Sequence, residues 1–151
     1  MTDITEIKAK NGKLYVSAIF DCYDLTAIGL AMDENMRAEL CAATVENAAA
    51  AYPDFDGAVF HSDRGSQYTS ELYRCLLNEF NVRQSMNSAG GRCHDNARCE
   101  SMWARMKEEL FYSRGRRSTD YTTEQLKTMI CSAIGGMPPA EKRRRYYSAI
   151  A

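Results

Sequence analysis

Residues 2–32, TDITEIKAKNGKLYVSAIFDCYDLTAIGLAM, carry the pattern that decides the fold. Residues 2–8 alternate apolar and polar as a strand does. Asn11-Gly12 follows and is a strong signal for a type I′ hairpin turn. Residues 13–21 are rich in aromatic and β-branched side chains and read as a second strand. Residues 22–24 form a turn, and residues 25–32 read as a third strand. The expectation is an antiparallel three-strand meander.

Downstream of the meander the periodicity changes. Residues 35–52 are Ala-rich and helical, with Pro53 as the stop. Residues 57–61 are a short apolar strand of the buried type, running into Ser62-Asp63. Thr69 or Ser70 caps a helix to Phe80, with Leu72, Leu76 and Phe80 along one face. Residues 82–86 are a further strand, and residues 87–93 a glycine-containing loop. Asp95 or Asn96 caps a helix reaching to Phe111, with Cys99, Met102, Met106 and Leu110 as its apolar stripe. Trp103 is read as core on the same helical spacing. Residues 113–119 are polar surface. Thr122 and Gln125 form a capping box for a last helix to Ile130, before Gly135-Gly136 and Pro138-Pro139 break the chain. The order β-β-β-α-β-α-β-α predicts an α/β fold, a mixed sheet with helices on both faces.

Composition narrows the class further. The chain has 151 residues, 45% hydrophobic and 26% charged, which suits one globular domain. No apolar run approaches the ~20 residues of a membrane helix. The first residues do not form a secretory signal, so the expected address is cytoplasmic. Cys22, Cys41, Cys75, Cys93, Cys99 and Cys131 include no C-x-x-C pair, and His61 and His94 are the only histidines. Neither a zinc finger nor a disulfide framework is expected, and the thiols are expected reduced and mostly buried. The net charge of −1 conceals an asymmetry: residues 1–75 carry six basic and twelve acidic side chains, residues 76–151 thirteen and eight. An acidic half suited to cations and a basic half suited to a polyanion follow from that split.

Three acids occupy informative places. Asp3 lies in the first strand, Asp63 just past the C-terminal end of the fourth, and Glu100 on the helix after the loop. Three carboxylates gathered at one point repel one another unless divalent cations neutralise them, and hard oxygen ligands suit Mg²⁺ or Mn²⁺. Spacing alone leaves many other triples open among twenty acids.

The flanking residues are more specific. HSDRGSQYTS (61–70), SMNSAGGRCHDNARCESMWARMKEEL (85–110) and TDIT (2–5) together closely resemble the integrase-like core of bacterial insertion-sequence transposases. These are the orfB-type enzymes with a DDE triad, related to retroviral integrases and ribonuclease H. The resemblance implies a ribonuclease-H-like fold, with residues 1–112 as the catalytic core and 113–151 as a C-terminal helical extension. It implies that Asp3, Asp63 and Glu100 are the catalytic, metal-binding acids, holding two Mg²⁺ ions with Mn²⁺ as substitute. Asp21 and Asp24 are not part of that set, and Asp95 fits helix capping.

The implied activity is polynucleotidyl transfer: water cleaves at the element's end, and the freed 3′-hydroxyl attacks a second phosphodiester. Lys107, seven residues after Glu100 on the same helix face, is implied as a contact to DNA phosphate. Arg98, Arg64 and Gln67 are further DNA-binding candidates. His61 is expected as a hydrogen-bonded histidine at a strand end. The Arg143-Arg144-Arg145 run with Tyr146-Tyr147 suits either phosphate contacts or a solvated helix end.

Implied partners are DNA at transposon ends and target, further copies of the chain, and an upstream helix-turn-helix region or partner protein that recognises the ends. No membrane partner is expected. Three departures from the family pattern stand out. The interval from Asp63 to Glu100 is one residue longer than usual, His94 replaces the usual tyrosine, and the stretch after TTEQLKTMI is shortened. A second expectation follows from the shortening: a truncated, inactive remnant that binds DNA or a full-length transposase. A ribonuclease-H-like nuclease acting on hybrids shares the metal logic but not the two long motifs.

Overall fold

A computed structural model describes residues 1–52, 56–87 and 97–134. Strands β1 (Thr2–Ala9), β2 (Gly12–Phe20) and β3 (Ala27–Asp33) pair antiparallel in the order β1-β2-β3. Helix α1 (Ala38–Ala51) follows, then β4 (Val59–Ser62), a short α2 (Ser66–Thr69), α3 (Glu71–Glu79) and β5 (Arg83–Met86). Helix α4 (Ala97–Leu110), two 3₁₀ turns (Tyr112–Arg114 and Ser118–Asp120) and α5 (Thr123–Ile134) complete the described chain. β4 and β5 form a parallel pair, with β4 packed beside β1. The hydrogen bonds thus define an antiparallel triplet and a parallel doublet.

The alternation of β2 explains the layering. Leu14, Val16, Ala18 and Phe20 point to one face and join Cys99, Trp103 and Leu110 of α4 and Leu126 and Ile130 of α5 in one core cluster. Ile19 points to the other face, against Cys41, Val45 and Ala48 of α1 and Tyr73 and Leu77 of α3. Helices therefore cover both faces, as expected. Each fully buried Leu, Ile or Phe contributes about 1.5–3 kcal/mol relative to exposure. None of the helices among the described residues is long and apolar enough to cross a membrane.

Several local expectations need correction. Ala9 pairs with Gly12, so the hairpin's two loop residues are Lys10 and Asn11. Neither has positive φ, which rules out type I′. The Asn11 side chain is instead engaged by α5: its Oδ1 accepts from Thr123 N at 2.8 Å, and its Nδ2 donates to Thr123 Oγ1 at 3.2 Å. β3 begins at Ala27 because Leu25 adopts φ +60°. Asp21 and Asp24 hold this loop through Oδ1, accepting from Tyr23 N and Thr26 N. α1 begins at Ala38, since Asp33 Oδ1 accepts from Asn35 N in a turn before it.

On α3 the buried residues are Tyr73 and Leu77, whereas Leu72 is 47% exposed and Leu76 and Phe80 are half-buried. The Tyr73 ring packs edge-on against Tyr68, and this contact turns the helix away from the expected face. On α4, Trp103 replaces Met102 and Met106 at the centre of the stripe, the two methionines being half-buried. The thiols are only in part buried: Cys41 and Cys99 are, while Cys22, Cys75 and Cys131 are exposed. Other expectations hold. Ser70 Oγ accepts from Tyr73 N as the α3 cap, and Thr122 and Gln125 exchange both bonds of the capping box. Pro53, the stretch 88–93, His94, Asp95, Asn96 and the tail from Gly135 lie outside the described residues.

Candidate active site

β1 and α4 build the walls of an open cleft of about 560 Å³. Asp3, Ile4 and Thr5 line it from the strand; Glu100, Trp103, Ala104, Lys107 and Glu108 line it from the helix. Positions 100, 103, 104 and 107 share a helix face by their spacing, so a single docking of α4 on β1 brings all four to the strand. Asp3 is buried, 9% exposed, and its Oδ2 accepts a 2.9 Å hydrogen bond from Trp103 Nε1. Lys107 Nζ donates to Thr5 Oγ1 at 2.8 Å. Burial pushes the Lys107 ammonium below its ordinary pKa, with the charge of Glu6 opposing.

Asp63 follows β4 directly. Its Oδ1 accepts from Gly65 N at 2.8 Å, a local turn that fixes the carboxylate. A Cβ at Gly65 would lie 3.0 Å from that oxygen and 2.6 Å from Gln67 Oε1, so glycine is what permits the close approach. Behind Asp63, His61 bonds Ser85 Oγ through Nδ1 and Asn87 Oδ1 through Nε2, at 3.0 and 2.7 Å. Arg64 Nε donates to Asn87 O, and Asn87 N donates to Ser62 O. His61 is thus the hydrogen-bonded strand-end residue expected, and it braces the segment that carries Asp63.

Asp3 and Glu100 share the cleft; Asp63 is not among its lining residues. Burial pushes Cys99 up to about 12, with Asp3 and Glu100 adding to the shift. Burial also pushes Cys41 up to about 12, with Asp63 and Asp3 adding to it. Among the described residues, no group of three or more His, Cys, Asp or Glu stands close enough to enclose a metal ion. The donor chemistry of Asp3 and Glu100, carboxylate oxygens on facing walls, suits a hard divalent cation.

Of the four DNA-binding candidates, only Lys107 lines the cleft. Arg98 Nη1 donates to Cys22 O, Arg64 belongs to the loop after β4, and Gln67 lies in α2. Trp103, Thr5 and Gly65 contribute to the site without having been singled out for it in the sequence. Their signal was position: Trp103 is one turn beyond Glu100, and Thr5 is two beyond Asp3 on the same strand face.

This architecture, a three-strand meander and a parallel strand pair with helices on both faces, is a ribonuclease-H-like α/β fold. The chain belongs to the integrase core domain family, whose model matches residues 1–93. It is 30% identical over 160 residues to the uncharacterized 31 kDa protein of insertion element IS600 from Shigella sonnei, covering 100% of this chain and 58% of that protein. The putative transposase InsK for IS150 from Escherichia coli K12 is 30% identical over 155 residues, covering 97% of this chain and 54% of that one. The transposase InsF for IS3A from the same organism is 34% identical over 110 residues, covering 73% and 38%. The chain thus spans little more than half, or less, of these relatives' lengths.

Among solved structures, the catalytic core domain of HTLV-2 integrase in complex with magnesium superposes with a TM-score of 0.58 at 13% identity, covering 72% of this chain and 66% of that one. A chain of the simian T-cell lymphotropic virus intasome, solved with the PP2A regulatory subunit B56 gamma, gives 0.65 at 15% identity, covering 75% and 39%. At these identities the likeness is one of fold.

Proposed function

We propose that this chain is the catalytic core of an insertion-sequence transposase, a polynucleotidyl transferase that cleaves and joins DNA strands at the element's ends. Asp3, Asp63 and Glu100 are its catalytic acids and hold two Mg²⁺ ions, with Mn²⁺ able to replace them. The observation that carries this reading is the shared cleft: Asp3 and Glu100, distant in sequence, line one cavity with Lys107 beside them. Divalent ions in a carboxylate site activate an attacking oxygen and stabilise the leaving one in phosphoryl transfer. The chain's own side chains supply the rest. Lys107 neutralises substrate phosphate at the cleft, and the Gly65 N–H holds the Asp63 carboxylate in one rotamer. Arg64, Gln67 and Arg98 contact DNA further from the acids. The substrate is DNA in the bacterial cytoplasm. The protein works as a homo-oligomer, with an upstream helix-turn-helix region or a partner protein reading the ends.

The test is Mn²⁺-dependent nicking of DNA bearing the element's ends. Asp63→Asn, with folding checked by circular dichroism, should abolish it; unchanged cleavage would refute the assignment. A second reading is a remnant that binds DNA or a full-length transposase without turnover. It draws on the lack of a three-residue metal group among the described residues. Mn²⁺ uptake with no cleavage by the unsubstituted chain would favour it.

A further inference from the structure

Trp103 is the chain's single tryptophan and is 5% exposed. Its indole N–H must find an acceptor when buried, since an unmade bond costs ~1–3 kcal/mol. Here the acceptor is a carboxylate, Asp3 Oδ2, at 2.9 Å. A bond to a charged acceptor is roughly twice as strong as a neutral one. The ring itself is locked: Phe20 meets it edge-on, with centroids 5.2 Å apart and planes at 71°. The same helix face carries Glu100 and Lys107 into the cleft. One rigid side chain on α4 therefore fixes a carboxylate on β1, and fixes it relative to the acid one turn earlier on its own helix.

We propose that Trp103 is a positioning residue: its indole N–H orients the Asp3 carboxylate for cation binding and registers whether the cation is there. This rests on the assignment of Asp3 as a metal-binding acid. Hydrogen-bonding partners of metal ligands commonly change metal affinity by about 10–100-fold when removed. A tryptophan that merely satisfied its own N–H on Asp3 would leave cation affinity unchanged when that donor is removed.

The test uses the full chain labelled with ¹⁵N, in which the lone tryptophan gives one indole N–H resonance. Mg²⁺ should shift that resonance, and Asp3→Asn should move it without metal and abolish the Mg²⁺ response. In parallel, free Mn²⁺ is counted by electron paramagnetic resonance. Trp103→Phe, which keeps an aromatic ring but lacks the donor, should bind Mn²⁺ about tenfold more weakly with an unchanged circular dichroism spectrum. Should Trp103→Phe fail to fold, the resonance of the unsubstituted chain and of Asp3→Asn decides. Mn²⁺ uptake by the unsubstituted chain with an indole signal indifferent to Mg²⁺, or with equal uptake by Trp103→Phe, overturns the positioning role and leaves the metal assignment standing. No Mn²⁺ uptake by the unsubstituted chain overturns the metal assignment and the positioning role with it.

Discussion

Lys107 Nζ lies 2.8 Å from Thr5 Oγ1, tying the C-terminal half of α4 to β1 two residues beyond Asp3. The ammonium is partly desolvated, which pushes its pKa below the ordinary value. A lysine held this way faces the cleft at little further entropic cost, because its side chain is already ordered. On the proposed function it neutralises one phosphate. Lys107→Gln, which keeps a donor for Thr5 but removes the charge, should weaken DNA binding. It should also flatten the plot of log affinity against log salt by about 0.9 for duplex DNA. Fluorescence anisotropy across a salt series measures the slope; an unaltered slope would assign Lys107 to holding Thr5 alone.

Gly65 makes a different kind of demand. Its N–H holds Asp63 Oδ1, and a Cβ there would meet that oxygen at 3.0 Å and Gln67 Oε1 at 2.6 Å. Both neighbours are side-chain ends and can move, so Gly65→Ala should fold with a small change in melting temperature. The Asp63 carboxylate should nevertheless be displaced from its position, and cleavage should fall by roughly 10–100-fold. Nicking rates beside thermal melts separate the two effects. A loss of stability with full activity in the folded fraction would contradict the role given to this turn.

Local chemistry made much of this fold legible, and non-local packing hid the rest. The second strand, the cap at Ser70 (one of the two residues expected) and the Thr122–Gln125 box rest on propensities and contacts within a few residues, and each is found. The hairpin turn was misread because Asn11 is engaged by Thr123 from the far end of the chain, a partner that no local pattern announces. The α3 face was misread because Tyr73, which the expected face left out, packs on Tyr68 while Leu72 is exposed. In the site, helical spacing put Glu100 and Lys107 on one face, as the cleft bears out. The same spacing made Trp103 indistinguishable from a core residue, since its bond to Asp3 spans most of the chain.

Gly29 sits where β3 meets α1. A Cβ there would approach Thr44 O to 2.5 Å and Ala48 Cβ to 2.8 Å. Unlike the neighbours of Gly65, Thr44 O is helix backbone and cannot turn aside. Gly29→Ala must push α1 off the sheet, and overpacking of this kind costs about 1–3 kcal/mol. Urea denaturation should show a lower midpoint with an unchanged slope. A midpoint equal to that of the unsubstituted protein would mean that α1 slides without penalty.

Cys41 and Cys99 are buried, and burial pushes both thiols up to about 12. The thiolate is the reactive form, so both should resist alkylation in the folded protein. Cys22, Cys75 and Cys131 are exposed and should be modified first. The same shift sets a pH dependence. Each buried thiol keeps its proton in the folded state above a thiol's ordinary value of 9.0, where the unfolded chain gives its proton up. The folded state then binds more protons than the unfolded one, so stability is fully present below that value and falls as pH rises from 9 towards 12. Cys41→Ala and Cys99→Ala each remove one such group and should show a shallower alkaline decline, whatever their cost at neutral pH. Denaturation midpoints at a series of pH values, with peptide mapping of alkylated cysteines, test both halves. Early labelling of Cys99 in folded protein would mean that α4 lifts from the core it covers.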